Sequence, residues 1–150
     1  SVQNINCYVL GGHGDSMVPL TRHSNIAGVP LEKYIEADKL EAILTRTRKG
    51  GGEIVGLLKT GSAFYAPSMA VVQMAEAILS DRKLILPCAV YLDGEYGQKG
   101  IFFGVPVMLG KDGVEKIIEY ELNDDEMTAL QASANAVTKS VEELKGLVEL

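Results

Sequence analysis

The fold is decided by residues 84–119, which read LILPCAVYLDGEYGQKGIFFGVPVMLGKDGVEKIIE. The apolar, β-branched runs at 84–92 and 101–109 predict two strands, and Asp112-Gly113 predicts a hairpin that leads into a third strand at 114–119. Strands joined by short connections pair in antiparallel fashion. This stretch therefore predicts the centre of an antiparallel sheet.

The last thirty residues predict a long helix. Asn123 and Glu126 form a capping-box pattern at its start. Apolar side chains then recur every three or four residues, as one helical face requires: Met127, Leu130, Ala134, Val137, Val141, Leu144 and Val148. We expect this face to pack on the sheet along its whole length, in preference to forming a free coiled coil.

The residues before this sheet predict both strands and helices. Residues 4–11 and 17–23 predict strands, and residues 31–36 a short helical piece. Asp38, with Glu41 three residues later, predicts the capped start of a long helix that kinks at 50–52. A second helix begins near Phe64 and is apolar nearly all round, so we expect the sheet and another domain or subunit to bury it. The whole chain, 1–150, predicts one α+β domain, a largely antiparallel sheet with long helices packed on it.

Composition excludes several classes of function. The chain has 150 residues, of which 47% are hydrophobic, and a net charge of −6. An acidic protein has no electrostatic reason to bind nucleic acid or an anionic membrane, and no apolar run is long enough to span a bilayer. Two histidines and two separated cysteines give no metal-ligand spacing. Cys7 and Cys88 are predicted to be buried free thiols, which favours a reducing, cytoplasmic setting.

One histidine stands in a setting suited to proton transfer. Residues 8–20, YVLGGHGDSMVPL, place His13 between glycines directly after a predicted strand. Imidazole gives and takes protons near neutral pH, and flanking glycines let another molecule approach closely. An ordinary loop residue is the alternative. A serine hydrolase built on Ser16 is disfavoured, because His13 and His23 are the only histidines and both lie within ten residues of it.

The run 8–20, together with LKTGSAFYAPS at 58–68, resembles the two active-site segments of the NAD-dependent lactate/malate dehydrogenase family, the second in its malate-specific form. The resemblance covers the entire chain and implies the family's C-terminal catalytic and substrate-binding domain. It implies that His13 is the proton donor and acceptor, that Ser62 lies beside the substrate, and that Ala66 lies close to the nicotinamide of NAD. Asp15 is expected only to tie down the turn.

The resemblance also implies what the chain needs from elsewhere. No glycine-rich nucleotide fingerprint is present, so NAD is expected to be held mainly by an N-terminal nucleotide-binding domain that this chain lacks. The chain starts at Ser1, which resembles the interior of a longer protein. The aspartate that orients the histidine and the arginines that grip the substrate are expected upstream of Ser1. We expect reversible oxidation of (S)-malate to oxaloacetate by a homo-oligomer; the alternatives are an L-lactate dehydrogenase domain and a non-catalytic oligomerisation module.

Overall fold

The computed structural model describes residues 1–147, which form an α+β domain as predicted. The strands are Ile5–Asn6 (β1), Val9–Gly11 (β2), Met17–Pro19 (β3), Asn25–Ile26 (β4), Val29–Pro30 (β5), Leu84–Asp93 (β6), Lys99–Gly110 (β7) and Gly113–Ile117 (β8). The helices are Ala37–Leu58 (α1), Tyr65–Leu79 (α2) and Asp124–Lys145 (α3). None of the helices within these 147 residues is long and apolar enough to cross a membrane.

The predicted antiparallel sheet is confirmed. Its strand order is β3-β2-β7-β6, and β8 pairs with β7. The hairpin of β6 and β7 runs in register from Leu84 opposite Leu109 to Asp93 opposite Lys99, with one irregularity near its turn. Gly110 pairs with Gly113, so the predicted tight turn into β8 is also confirmed. Strands β1, β4 and β5 form a separate, smaller antiparallel sheet.

The inward side chains of β6 and β7 build the core. Alternate residues along β6, beginning at Cys88, are buried, and Phe103, Val105 and Val107 of β7 are almost fully excluded from solvent. Leu10 of β2 and Leu130 of α3 join the same cluster. Period-two burial is expected of a sheet with one covered face.

The prediction of one strand over residues 4–11 was wrong. β1 and β2 belong to different sheets, and the chain crosses between them at Cys7 and Tyr8. Cys7 is therefore exposed and not buried as predicted, whereas Cys88 is buried; both thiols are free. The predicted strand at 17–23 ends at Pro19 and continues as a single 3₁₀ turn, Thr21–His23.

Helix α3 has the predicted capping box. The Asn123 side chain accepts from the Glu126 amide, and the Glu126 carboxylate accepts from the Asn123 amide. Glu126 also accepts two hydrogen bonds from Arg22, which lower the pKa of this carboxyl. These contacts join the start of α3 to the segment that follows β3.

The apolar face of α3 is buried only in part, contrary to the prediction. Leu130 and Ala134 are buried and Val137 packs against the core, but Met127, Val141 and Leu144 are 43%, 38% and 53% exposed. Helix α3 contacts β2, β3 and β7, and its buried residues all lie in its first half. The apolar side chains beyond Val137 lie past the part of the helix that packs against the core. Val148, the last residue of the predicted face, lies outside the described residues.

Helix α1 differs from the prediction at its start. It begins at Ala37, with Glu36 as the N-cap residue, so Asp38 lies inside the first turn and does not cap the helix. The helix is continuous through Gly50–Gly52, and these three glycines have no positive φ angle. The cations that precede them, Arg46 and Arg48, consequently lie in the middle of a helix and not at its end.

Helix α2 starts where the sequence predicts but is not enclosed. Only Ala77 is buried, while Met74 packs against the core. Tyr65 and Leu79 are 81% and 86% exposed. Within this chain the expected burial on most sides is therefore not found, and the apolar surface of α2 faces outward.

Candidate active site

His13 borders a cavity. The residue directly follows β2, its side chain is exposed, and it lines a cavity of about 940 Å³ between its own turn and helix α1. The α1 wall is formed by residues 46–49, 51–53 and 55, and Ala63 contributes from the segment that leads into α2. The imidazole is thus neither sealed in the core nor isolated from a binding space.

Close packing explains the two glycines that precede His13. Gly11 has a φ of +96° and pairs with Gly104 across β2 and β7. A Cβ atom on Gly104 would lie only 2.5 Å from the Gly11 carbonyl oxygen. On Gly12, a Cβ atom would lie 2.5 Å from the Ser16 hydroxyl oxygen. The strand can therefore turn out of the sheet at this point only because side chains are absent.

The two polar residues that follow His13 in the turn, Asp15 and Ser16, differ in their hydrogen bonding. The Ser16 hydroxyl donates to the His13 carbonyl oxygen at 3.5 Å, which confirms that it bonds local backbone. The expectation that Asp15 ties down the turn was wrong, since its exposed carboxylate makes no hydrogen bond with residues 1–147. Instead, the Ser133 hydroxyl on α3 accepts from the Gly12 amide at 2.8 Å.

Helix α1 brings both paired and unpaired charge to the cavity. Arg46 donates to both carboxylate oxygens of Glu53, at 2.9 and 2.8 Å, and these hydrogen bonds lower the pKa of Glu53 and raise that of Arg46. The Arg48 Nε atom donates to the Met17 carbonyl oxygen at 3.4 Å, just after the His13 turn. The described residues give Arg48 no carboxylate partner, so its charge is available to an anion in the cavity.

His13 also borders a second, smaller cavity. This space of about 350 Å³ is lined by β2, by Pro87, Cys88 and Ala89 of β6, by Phe102 of β7 and by Val137 of α3. Burial raises the pKa of the Cys88 thiol. No group of three or more potential metal-ligating side chains occurs in the part of the chain that the structure describes.

The other two predicted site residues lie near this cavity without lining it. Ala63 lines it together with His13, Ser62 is the exposed residue just before Ala63, and Ala66 lies in the first turn of α2. Phe64 is the N-cap residue of α2, so Ser62 does not cap this helix. The roles expected for Ser62 and Ala66 remain predictions.

Sequence reasoning missed two contributors to the site. Helix α1 supplies one wall of the main cavity, and Ser133 binds the turn from α3. A signal for Ser133 was present, because it stands three residues after Leu130 and four before Val137, on the face predicted to pack on the sheet. A hydroxyl on such a face must find a partner when it is buried.

The fold and the site together define the class of domain: an α+β domain in which an exposed histidine lines a cavity. The description "lactate/malate dehydrogenase, alpha/beta C-terminal domain" matches residues 1–148. The chain belongs to this family.

Relatives and solved structures agree with that assignment. A malate dehydrogenase from Roseiflexus castenholzii is 58% identical over 145 residues, which are 97% of this chain and 47% of the relative. The structure of malate dehydrogenase from Salinibacter ruber matches with a TM-score of 0.94 at 48% identity, over 98% of this chain and 48% of that one. Lactate dehydrogenase from Eimeria maxima, solved with NADH and oxamate, also has a TM-score of 0.94, at 36% identity and with coverages of 98% and 47%. The chain spans about half the length of the relatives it matches.

Proposed function

We propose that this chain is the catalytic and substrate-binding half of an NAD-dependent malate dehydrogenase, which interconverts (S)-malate and oxaloacetate. The observation that carries the proposal is the exposed His13, which lines a cavity in a domain of this family. The substrate is assigned as malate because relatives named malate dehydrogenase are 53–58% identical to the chain.

The residues around the cavity fit the reactive end of NAD and not its phosphates. Ala63 lines the cavity with His13, and its small side chain leaves room there for a flat ring. Residues 1–147 contain no glycine-rich phosphate loop. When bound, NAD would supply hydride transfer to and from the substrate carbon.

His13 supplies the proton chemistry in this proposal. During malate oxidation the neutral imidazole accepts the proton of the C2 hydroxyl as the C2 hydrogen leaves as hydride, so the alcohol becomes a ketone and His13 becomes a cation. During oxaloacetate reduction the protonated imidazole donates to the oxygen that gains negative charge. Ser62, placed just before Ala63, is proposed to contact the substrate, and Ala66 the nicotinamide.

Arg48 supports an anionic substrate at this site. Its guanidinium group borders the same cavity as His13 and has no carboxylate partner in the described chain. A small 2-hydroxy or 2-oxo diacid would be attracted to this charge, even though the expected carboxylate-binding arginines lie upstream.

We also propose that activity requires an N-terminal nucleotide-binding domain and that the working protein is a homo-oligomer. The outward apolar surface of α2, with Tyr65 and Leu79 more than 80% exposed, supports such an association. We further propose a cytoplasmic location and a place in the tricarboxylic acid cycle; the two free thiols support a reducing setting.

The test fuses residues 1–150 to the upstream part of the Roseiflexus castenholzii malate dehydrogenase. We expect NAD-dependent oxidation of malate and a loss of about 10²- to 10⁴-fold in kcat for His13→Asn. His23→Asn is the matched control, because the His23 ring contacts the Glu121 carbonyl oxygen away from the cavity. A preference for lactate would favour the lactate alternative. A folded, assembled fusion that is inactive, or an active His13→Asn variant, would favour the oligomerisation module or another site.

A further inference from the structure

One buried hydroxyl connects helix α3 to the peptide that precedes His13. Ser133 is 2% exposed, and its Oγ atom accepts a hydrogen bond from the Gly12 amide at 2.8 Å. The two residues are 121 positions apart in the chain. The bond therefore fixes the Gly12–His13 segment to a helix that the buried Leu130 anchors in the core.

The shape of the turn is fitted to this contact. A Cβ atom on Gly11 would lie 2.6 Å from the Ser133 Oγ atom, and one on Gly12 would lie 3.3 Å from a methyl group of Val137. The backbone before His13 thus lies directly against α3. On its other side, the Gly11 carbonyl lies against Gly104 of β7. The segment is held between a helix and a strand, and Ser133 provides the polar contact from the helix.

We propose that Ser133 is a positioning residue for His13, which holds the imidazole beside the cavity by fixing the peptide one residue before it. This inference rests on the proposed function of His13. An acid or base must lie within hydrogen-bond reach of the proton it transfers, and a displacement of about 1 Å can cost about 100-fold in rate. Ser133 makes no contact with the main cavity, so its effect on the reaction must pass through the turn.

The experiment uses the fusion protein described above with Ser133→Ala. We expect kcat for malate oxidation to fall by about 10- to 100-fold, with KM for malate changed by less than about threefold, because the carboxylate contacts remain. Amide hydrogen exchange, followed by mass spectrometry in peptides that cover residues 8–17, is expected to become faster at Gly12. This readout does not depend on activity.

Two control variants separate positioning from general loss of structure. Ser140→Ala removes the same hydroxyl from an exposed position of α3, where it donates only to the Ala136 carbonyl oxygen, and should leave kcat and exchange unchanged. Ala134→Gly loosens the same buried part of α3 without touching Gly12. It should lower the unfolding temperature at least as much as Ser133→Ala, with kcat within about twofold of the wild type.

The outcomes distinguish this inference from the proposed function. An inactive wild-type fusion, or a fully active His13→Asn variant, would overturn the proposed function and the inference with it. If the wild type is active and His13→Asn is not, two results overturn the inference alone. One is Ser133→Ala with normal kcat and normal exchange at Gly12; the other is Ala134→Gly with the same loss of kcat as Ser133→Ala.

Discussion

Replacing Gly104 by alanine is expected to disturb both the sheet and the site, because the added Cβ atom would lie 2.5 Å from the Gly11 carbonyl oxygen. The obstacle is backbone and cannot rotate away. The φ angle of Gly104 lies outside the left-handed region, so the cost is steric and not conformational. Overpacking of this kind costs about 1–3 kcal/mol in the free energy of unfolding. Strand β2 must shift away from β7, and it takes the His13 turn with it.

The matched control is the same substitution at Gly50. This residue lies in the middle of α1, and a Cβ atom there would have no neighbour within 4 Å. Alanine is favoured over glycine in a helix interior by about 1 kcal/mol, so Gly50→Ala should stabilise the chain. The two variants thus make the same substitution, and the expected changes in the free energy of unfolding have opposite signs.

Urea unfolding of the 150-residue chain, followed by circular dichroism, measures both effects. Thermal unfolding gives a second estimate, since 1 kcal/mol shifts the midpoint by about 2–4 °C for a domain of this size. In the fusion protein, Gly104→Ala should also lower kcat. A Gly104→Ala chain as stable as the wild type would refute the close approach of β2 and β7 on which the position of His13 depends.

Three further predictions concern packing and charge. Leu130→Ala should lower the free energy of unfolding, measured in urea, by about 2–5 kcal/mol, because Leu130 is fully buried. Leu144→Ala should lower it by less than about 1 kcal/mol, because Leu144 is 53% exposed. Equal losses would contradict the placement of α3. A chromogenic disulfide reagent should modify Cys7 quickly in the native chain and Cys88 only in urea, because burial shields the Cys88 thiol and raises its pKa. Rapid modification of both cysteines in the native chain would contradict the burial of Cys88. Between about pH 5 and pH 3 the wild type should lose more stability than Glu126→Gln, because Arg22 lowers the pKa of Glu126 in the folded state. The stability that this carboxylate contributes is present above its unfolded-state pKa of about 4.3 and is lost as pH falls through its folded-state pKa. Parallel losses in the two proteins would refute the ion pair.

Local sequence signals predicted the elements whose determinants are local. The hairpin of β7 and β8 follows from Asp112-Gly113 between two apolar runs, and the start of α3 follows from Asn123 and Glu126. In each case the residues that decide the structure contact one another within a few positions of the chain. The antiparallel α+β class then followed from the order of elements.

The failures occurred where distant parts of the chain decide the structure. Residues 4–11 have the composition of one strand, but pairing with β4 on one side of Cys7 and with β3 and β7 on the other divides them between two sheets. The apolar face of α3 continues beyond Val137, whereas its contact with the sheet does not. Periodicity reports which side chains can be buried together and not how much surface is present to bury them.

The candidate site, like the fold, was predictable only where the residues that form it are close in the sequence. His13 could be found because its glycines and the preceding strand are neighbours in sequence, and the structure places it at a cavity. The hydrogen bond from Gly12 to Ser133 spans 121 residues, and no local pattern specifies it. The cavity wall formed by α1 likewise depends on how that helix packs against the turn after His13.

The central claim is that the His13 imidazole meets the reacting oxygen of the substrate. It is tested most directly by a crystal structure of the fusion protein with NADH and an unreactive 2-oxo acid analogue. We expect a ring nitrogen of His13 within about 2.6–3.2 Å of the 2-oxo oxygen, with the analogue in the cavity that His13 and α1 line. An analogue bound with its 2-oxo oxygen on a different proton donor, and with the His13 ring turned toward solvent, would contradict the account.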